Sequence, residues 1–212
     1  MGKEEILNYL KNAKIKDKKL EQICYYFAKD YTASQTAVTL NLSRQTINNY
    51  YKIIRILLLQ KQEELILFLK KNNFCDNSFN IKYIKLNKNI FYFIECNEKV
   101  FILDTEQNFL PNIDIFIEQK LKNLFQGNKK TNSAKVLFSK NTNKYLITKF
   151  FKSENTMEEF VNTRLKKFRG LNKTNLQLQV KESQFRFNYS QEYLYNTLIN
   201  ILNLNCKTST FY

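Results

Sequence analysis

The chain has 212 residues, 43% of them hydrophobic, which is enough for one ordinary domain or two small ones. It carries 34 Lys and Arg against 19 Asp and Glu, a formal net charge of +15. This excess favours a polyanionic partner, nucleic acid before a membrane surface or an acidic protein, although genome base bias also enriches lysine. The absence of His excludes a Cys/His zinc site.

The cysteines and the apolar runs indicate the cellular setting. The four cysteines are far apart, at Cys24, Cys75, Cys96 and Cys206. We interpret them as buried small hydrophobic residues in a reduced, intracellular protein. The N-terminus lacks the apolar run of a secretory signal, and the longest apolar stretch, Ile53–Leu59, is too short to span a bilayer. We therefore expect a soluble, cytoplasmic, nucleoid-associated protein without a membrane partner.

The first part of the chain has the spacing of helices. Residues 3–12 are compatible with a short helix, and 20–31 place Leu20, Ile23 and Phe27 on one helical face. Two more helices follow, and the second of them runs to about Asn72.

Beyond residue 72 short β-rich runs replace this pattern. Three antiparallel strands are predicted at 79–86, 89–95 and 99–104, with a hairpin turn at 96–99. The later predicted elements are a helix from Pro111 to about Phe125, a strand at 134–140, a possible element at 144–150, a helix ending before Gly170 and a helical run at 174–204. The predicted fold class is α+β, with a small helical domain at 1–72 and an α+β domain at 73–212.

One segment of the helical domain has the residue types of a helix-turn-helix. Two helices that pack at a steep angle need a small residue where they touch, and Ala37 stands at that position. Asn41 suits a left-handed turn better than other non-glycine residues. Leu42 is the apolar residue beneath the turn, and Ser43 is a natural N-cap for the next helix. The sequence therefore predicts a helix-turn-helix, with a purely structural three-helix bundle as the alternative.

The second helix of this motif is predicted to contact DNA. Ile47 and Tyr50 supply its inward face, so its polar residues are left for the major groove. Arg, Gln and Asn side chains can make bidentate contacts with guanine or adenine. The predicted DNA-binding residues are Ser43, Arg44, Gln45, Thr46, Asn48 and Asn49, followed by Lys52 and Arg55 as phosphate contacts.

The order of elements in the α+β domain matches a ribonuclease-H-like fold: three strands in a meander, a helix, a further strand and then helices. On such folds nucleic-acid enzymes hold two divalent metals between carboxylates from separate strands, for phosphoryl transfer. Many other α+β folds share this order.

The C-terminal sequence carries a more specific pattern. Residues 155–202 read NTMEEFVNTRLKKFRGLNKTNLQLQVKESQFRFNYSQEYLYNTLINIL. They resemble the end of DDE insertion-sequence transposases of the ISXO-like group, which has Asn-x-x-Glu, Arg/Lys-Leu-x-Lys-Phe-x-Gly, Leu-Lys-Glu-x-x-x-Arg-Phe-Asn and Leu-Tyr in that order. The matching residues are Asn155, Glu158, Phe160, Arg164, Leu165, Lys167, Phe168, Gly170, Val180, Lys181, Glu182, Phe185, Arg186, Phe187, Asn188, Leu194 and Tyr195.

The resemblance covers about residues 20–204 and includes FYFIECNEKVFILD at 91–104, which is similar to the central strand pair of the family. It implies an N-terminal helix-turn-helix followed by a shortened ribonuclease-H-like domain with a C-terminal helical segment. It also implies three acidic catalytic positions, of which only Glu158 is acidic here. The first position falls near Ile84 or Lys85 and the second at Lys140, a few residues before Tyr145.

These departures bear directly on catalysis, because Mg²⁺ needs a cluster of anionic oxygen ligands and lysine repels it. We therefore treat Glu158 as a vestigial catalytic residue and predict no cofactor and no metal. Mg²⁺ enters only in the alternative of an active transposase whose acids are displaced to Asp104, Glu106 or Asp114.

A second basic stretch, 164–173, is predicted to track phosphates, with a solvated helix face as the alternative. Its predicted DNA-binding residues are Arg164, Lys166, Lys167 and Arg169. Arg186, between Phe185 and Phe187, is predicted to join a network at the edge of the core.

Three functions remain open. The favoured one is a transposase-derived, catalytically inactive protein that binds specific sites on double-stranded DNA, as a homodimer, and acts as a regulator. The others are an active DDE transposase that cleaves and transfers DNA strands, and a protein-interaction subunit of a DNA-associated complex.

Overall fold

The computed structural model describes residues 15–71, 78–86, 89–96, 98–102, 131–139, 141–142, 144–168 and 173–204. These residues contain six helices and a five-stranded antiparallel sheet, so the chain has the predicted α+β class. The predicted helices at 3–12 and at 111–125 lie outside them. In the described ranges no helix combines the length and the apolar character that crossing a membrane requires.

The helices and strands agree closely with the predicted ones. The helices are α1 (Asp17–Ala28), α2 (Ala33–Leu40), α3 (Arg44–Lys71), α4 (Thr156–Leu165), α5 (Lys173–Asn188) and α6 (Gln191–Leu202). The strands are β1 (Ser78–Leu86), β2 (Asn89–Cys96), β3 (Lys99–Ile102), β4 (Ser133–Ser139) and β5 (Lys144–Phe151). The predicted helical run at 174–204 is divided into α5 and α6, because the Ser190 side chain accepts a hydrogen bond from the Tyr193 N–H and starts a new helix.

The chain divides into two compact units, and the division differs from the predicted one. The helical unit contains Met1–Ile66 and Lys166–Tyr212, and the sheet unit contains Leu67–Leu165. The first boundary lies near the predicted one at 72/73. The C-terminal helices, however, belong with the N-terminal helices and not with the sheet, because their apolar faces share one hydrophobic core with α1 and α3.

The core of the helical unit is built from the apolar stripes of five helices. α1 contributes Ile23 and Phe27, both essentially inaccessible to solvent, and α6 contributes Leu198 and contacts α1 directly. Cys24, also on α1, is buried as predicted. Cys75 and Cys206 lie outside the described residues.

The sheet unit is an antiparallel sheet with the strand order β3-β2-β1-β4-β5. β1 is central and pairs with β2 and with β4, for example at Ile81↔Ile94 and Ile81↔Ala134. β4 and β5 form a hairpin, so the possible element at 144–150 is a strand. The predicted ribonuclease-H-like order had helices directly after the fourth strand, and the fifth strand departs from it. α4 contacts β1 and buries Met157 and Val161.

Candidate nucleic-acid interface

The start of α2 is fixed by a reciprocal cap. The Thr32 hydroxyl accepts a hydrogen bond from the Gln35 backbone N–H at 3.3 Å, and the Gln35 carboxamide oxygen accepts one from the Thr32 backbone N–H at 2.9 Å. This capping box satisfies two of the N–H groups that a helix start otherwise leaves without partners. α2 is thereby defined at its first residue, although it is only eight residues long.

The turn between α2 and α3 has the predicted left-handed geometry. Asn41 adopts φ 51° and ψ 53°, a region that Asn tolerates better than most residues. The backbone N–H of Leu42 donates to the carbonyl of Ala37 at 3.0 Å and closes the end of α2. The Ser43 hydroxyl then accepts from the Thr46 N–H at 3.0 Å and caps α3. The predicted left-handed conformation of Asn41 and the predicted N-cap at Ser43 are confirmed.

α2 and α3 are held together by small and apolar residues and by one buried hydrogen bond. Ala37, Ile47 and Tyr50 are buried as predicted, and Leu42 packs against the same core. The hydroxyls of Thr36 and Tyr51 lie 2.6 Å apart in this interface. Burial raises the pKa of the Tyr51 phenol to about 12, an effect that the bond to Thr36 opposes.

The face of α3 that points away from this core is polar and solvent-exposed. Most of the predicted base-reading side chains lie on it, namely Arg44, Gln45, Asn48 and Asn49, with Lys52 beyond them. Thr46 is half-buried and its hydroxyl lies 2.8 Å from that of Ser43. The Gln45 carboxamide N–H donates to the Asn49 side-chain oxygen at 3.1 Å. The predicted residues therefore form one continuous donor and acceptor surface on the first turns of α3.

The structure places Arg55, predicted as a phosphate contact, away from this surface. Its guanidinium Nε donates to a Glu182 carboxylate oxygen at 2.6 Å, and its side chain is only 13% exposed. Position 55 follows the buried Tyr51 by four residues, and residues at that spacing share a helix face. The face that carries Arg55 is the one turned toward α5.

The residues of the second basic stretch differ in their surroundings. Arg164, predicted as a phosphate contact, lies in the last turn of α4 and is buried, as are Met157 and Val161 of the same helix. Lys167 forms an ion pair with the Asp30 carboxylate and donates to the Asp30 carbonyl at 2.8 Å. Lys166 is exposed.

The remaining residue of this stretch, Arg169, lies outside the described residues.

Five charged side chains of the helical unit form a partly buried cluster that the sequence predicted only in part. We call this the charge cluster; its members are Arg55, Glu182, Arg186, Asp30 and Lys167. The predicted network around Arg186 is confirmed, although the ring beneath its guanidinium is Phe27, at 4.9 Å. The i,i+4 spacing of Glu182 and Arg186 was the available signal, whereas their partners Arg55 and Asp30 are more than 100 residues away in sequence.

The sheet unit brings Glu158 to the position predicted for the first catalytic acid of the transposase family. The backbone N–H of Lys85 on β1 donates to one Glu158 carboxylate oxygen at 3.3 Å. The other oxygen accepts from the Asn155 carboxamide at 3.1 Å. Asn155 also donates to the Tyr83 carbonyl at 2.8 Å and accepts from the Glu158 N–H at 3.2 Å. The Asn-x-x-Glu motif thus caps α4 and ties it to β1.

The described residues do not form a metal site. Lys85, whose backbone N–H contacts Glu158, carries a positive charge and is exposed. Across the described ranges, no three Asp, Glu, Cys or His side chains come together in a way that could hold a metal ion. Lys140 and the proposed displaced acids Asp104, Glu106 and Asp114 lie outside those ranges.

Comparison with protein-family models, with curated proteins and with solved structures returned no match. The function is therefore inferred from the geometry of the two units themselves.

Proposed function

We propose that the helical unit binds double-stranded DNA in a sequence-specific way, with α2 and α3 acting as a helix-turn-helix. The observation that carries this proposal is the left-handed turn at Asn41 between two capped helices, with a polar, exposed face on the first turns of α3. In a helix-turn-helix those turns enter the major groove, while the preceding helix crosses the phosphate backbone.

The exposed face of α3 has the chemistry that reads base edges. Arg44 can donate two hydrogen bonds to guanine, and Asn48 or Asn49 can pair with adenine. The hydrogen bond from Gln45 to Asn49 restricts both side chains before DNA arrives, which lowers the entropy lost on binding. Specificity then comes from these four residues.

We assign phosphate contacts to fewer cationic residues than the sequence predicted. Lys52 lies on α3 beyond the base-reading turns and is exposed. Lys166 is exposed beside Lys167, which is anchored to Asp30 just before the start of α2. Since the start of that helix faces the DNA backbone in a helix-turn-helix, Lys166 is the cation of the second basic stretch that we retain as a phosphate contact.

We further propose that the chain derives from an ISXO-like DDE transposase and no longer cuts DNA. The placement of Glu158 against β1, at Lys85, supports the derivation, because the family holds its first and third acids together at that place. The lack of an acid at the first position, near Ile84 or Lys85, and the capping contacts of Glu158 support the loss of catalysis. The β4–β5 hairpin departs from the expected order of elements, so the ribonuclease-H-like origin rests on the Glu158 contacts and the C-terminal sequence.

Titrating a fluorescent duplex with the full-length protein at several salt concentrations tests DNA binding. Each neutralised phosphate contributes a slope of about −0.9 to log affinity against log salt, so several contacts produce a steep line. A flat line, or no binding, would refute the proposal and favour the protein-interaction alternative. Incubating the same duplex with Mg²⁺ or Mn²⁺ tests the active-transposase alternative, for which we expect no cleavage.

A further inference from the structure

Glu182 on α5 is a carboxylate buried between two guanidinium groups. Its side chain is 1% exposed. One of its oxygens accepts from Arg55 at 2.6 Å and the other from Arg186 at 2.7 Å. A buried charge is tolerated only when it is paired in good geometry, and here both carboxylate oxygens are used. Glu182 is therefore a fixed bridge and not a mobile surface group.

One side of this bridge is anchored to the end of α1. The two terminal nitrogens of Arg186 donate to the carbonyls of Ala28 and Phe27, at 2.9 and 2.6 Å. Both carbonyls belong to the last turn of α1, where a guanidinium can cap a helix end, and that of Phe27 also accepts from the Asp30 N–H at 2.9 Å. Asp30 lies 3.4 Å from the Nε of Arg186 and adds a second anchor at the same place.

The other side of the bridge is α3 itself. Arg55 lies on the same continuous helix as Arg44, eleven residues later, which corresponds to about 16 Å along the axis. Its guanidinium is 5.6 Å from the ring centre of Phe27 and 5.7 Å from that of Tyr51. Because a helix rotates as a rigid body over this distance, fixing Arg55 also fixes the direction in which Arg44 points.

We infer that Glu182 is a positioning residue for DNA reading: through Arg55 it sets the rotation of α3 against α1 and so aims the base-reading face. This inference rests on the proposed function and assigns the C-terminal segment a part in sequence recognition. Apolar packing turns this face of α3 toward the core, and the two charge-assisted hydrogen bonds of Glu182 add directional contacts to it.

The test compares full-length E182Q with E192Q, which removes the same charge from an exposed position on α6. Affinity is measured for a duplex selected by the wild-type protein and for an unrelated duplex, at a temperature where all variants are folded. We expect E182Q to lose about tenfold or more on the selected duplex and no more than about threefold on the unrelated one. E192Q should retain both affinities. If Glu182 acts on stability alone, E182Q will leave the ratio of the two affinities unchanged.

Amide hydrogen exchange of α3 in the absence of DNA separates this inference from the proposed function. We expect E182Q to speed exchange in α3 relative to the wild type and to E192Q. If the wild type binds no DNA, the proposed function fails, and unchanged exchange in E182Q would then overturn the bridging role as well. If the wild type binds DNA and E182Q keeps its ratio of affinities, the inference is overturned while the function stands.

E182D covers the case in which E182Q does not fold. It keeps the charge but draws the carboxylate back by one methylene, so it cannot reach both guanidinium groups in the present geometry. We expect its ratio of specific to unrelated affinity to fall below that of the wild type. An E182D ratio equal to that of the wild type would contradict the inference.

Discussion

The hydroxyl groups of Thr36 on α2 and Tyr51 on α3 lie 2.6 Å apart inside the helical unit. Thr36 is completely buried, and Tyr51 is 2% exposed. The bond therefore fixes the packing of the two proposed DNA-binding helices at a point without solvent, where a hydrogen bond is electrostatically stronger than in water.

Tyr51→Phe removes this bond and should lower the free energy of unfolding by about 1 kcal/mol at pH 8. The pKa of Tyr51 is about 12 in the folded protein, against about 10 for an exposed phenol. Above pH 10 the unfolded chain therefore loses this proton first, and wild-type stability falls as the pH rises toward 12. Below pH 9 the group has no effect on the pH dependence.

Urea unfolding of both proteins at pH 8, 10 and 11 measures this difference, because the two chains differ only at position 51. The advantage of the wild type over Tyr51→Phe should shrink as the pH increases. An advantage that is constant from pH 8 to pH 11 would show that Tyr51 is not buried as described.

Asn41→Val tests the turn between α2 and α3. A β-branched residue at φ 51° should cost about 1–2 kcal/mol of stability and weaken DNA binding with it. Asn41→Gly is the matched control, because glycine adopts this conformation freely, and should stay within about 0.5 kcal/mol of the wild type. Thermal unfolding measures both, and equal stability of the two variants would argue against a left-handed turn.

Lys52→Gln tests the assignment of an exposed cation to phosphate. Affinity should fall by a similar factor for every duplex, and the slope of log affinity against log salt should become shallower by about 1. Lys18→Gln, which removes an exposed cation from α1, is the control and should leave the slope unchanged. A slope that Lys52→Gln does not alter would remove this residue from the interface.

Asn155→Ala tests the structural reading of the Asn-x-x-Glu motif. It removes the α4 cap and the hydrogen bond from Asn155 to the Tyr83 carbonyl, so we expect a loss of about 2 kcal/mol or more in denaturant unfolding. Glu158→Gln keeps the cap and should cost less than about 1 kcal/mol. If Mg²⁺ instead raises the melting temperature of the wild type and not of Glu158→Gln, the carboxylate binds metal and the proposed loss of catalysis is wrong.

Local signals predicted the turn and the strands well. Asn41 and Ser43 act within four residues of their own positions, so their residue types alone indicate a left-handed turn and a cap. The strands were equally predictable because β-rich runs and a hairpin turn are short-range patterns.

Ion pairs between residues far apart in the sequence could not be predicted from it. Arg55 and Lys167 look like solvent-facing cations until their partners are known, and those partners are Glu182 and Asp30. The same limit produced the different division into units, since nothing local marks the helices after Lys166 as partners of α1 rather than of the sheet. The burial of Arg164 could have been predicted, because it lies three residues after Val161 on one helix and shares its buried face. Its basic neighbours instead favoured a solvent-exposed position.

Selection from a pool of randomised duplexes, run in parallel with the full-length wild type and Arg44→Ala, tests the central claim most directly. We expect the wild type to enrich a defined site, palindromic if the protein binds as a homodimer. Arg44→Ala should bind that site about tenfold or more weakly while keeping its affinity for unrelated duplexes. A wild-type protein that enriches no sequence, or an Arg44→Ala variant that enriches the same site with equal affinity, would contradict sequence reading by α3.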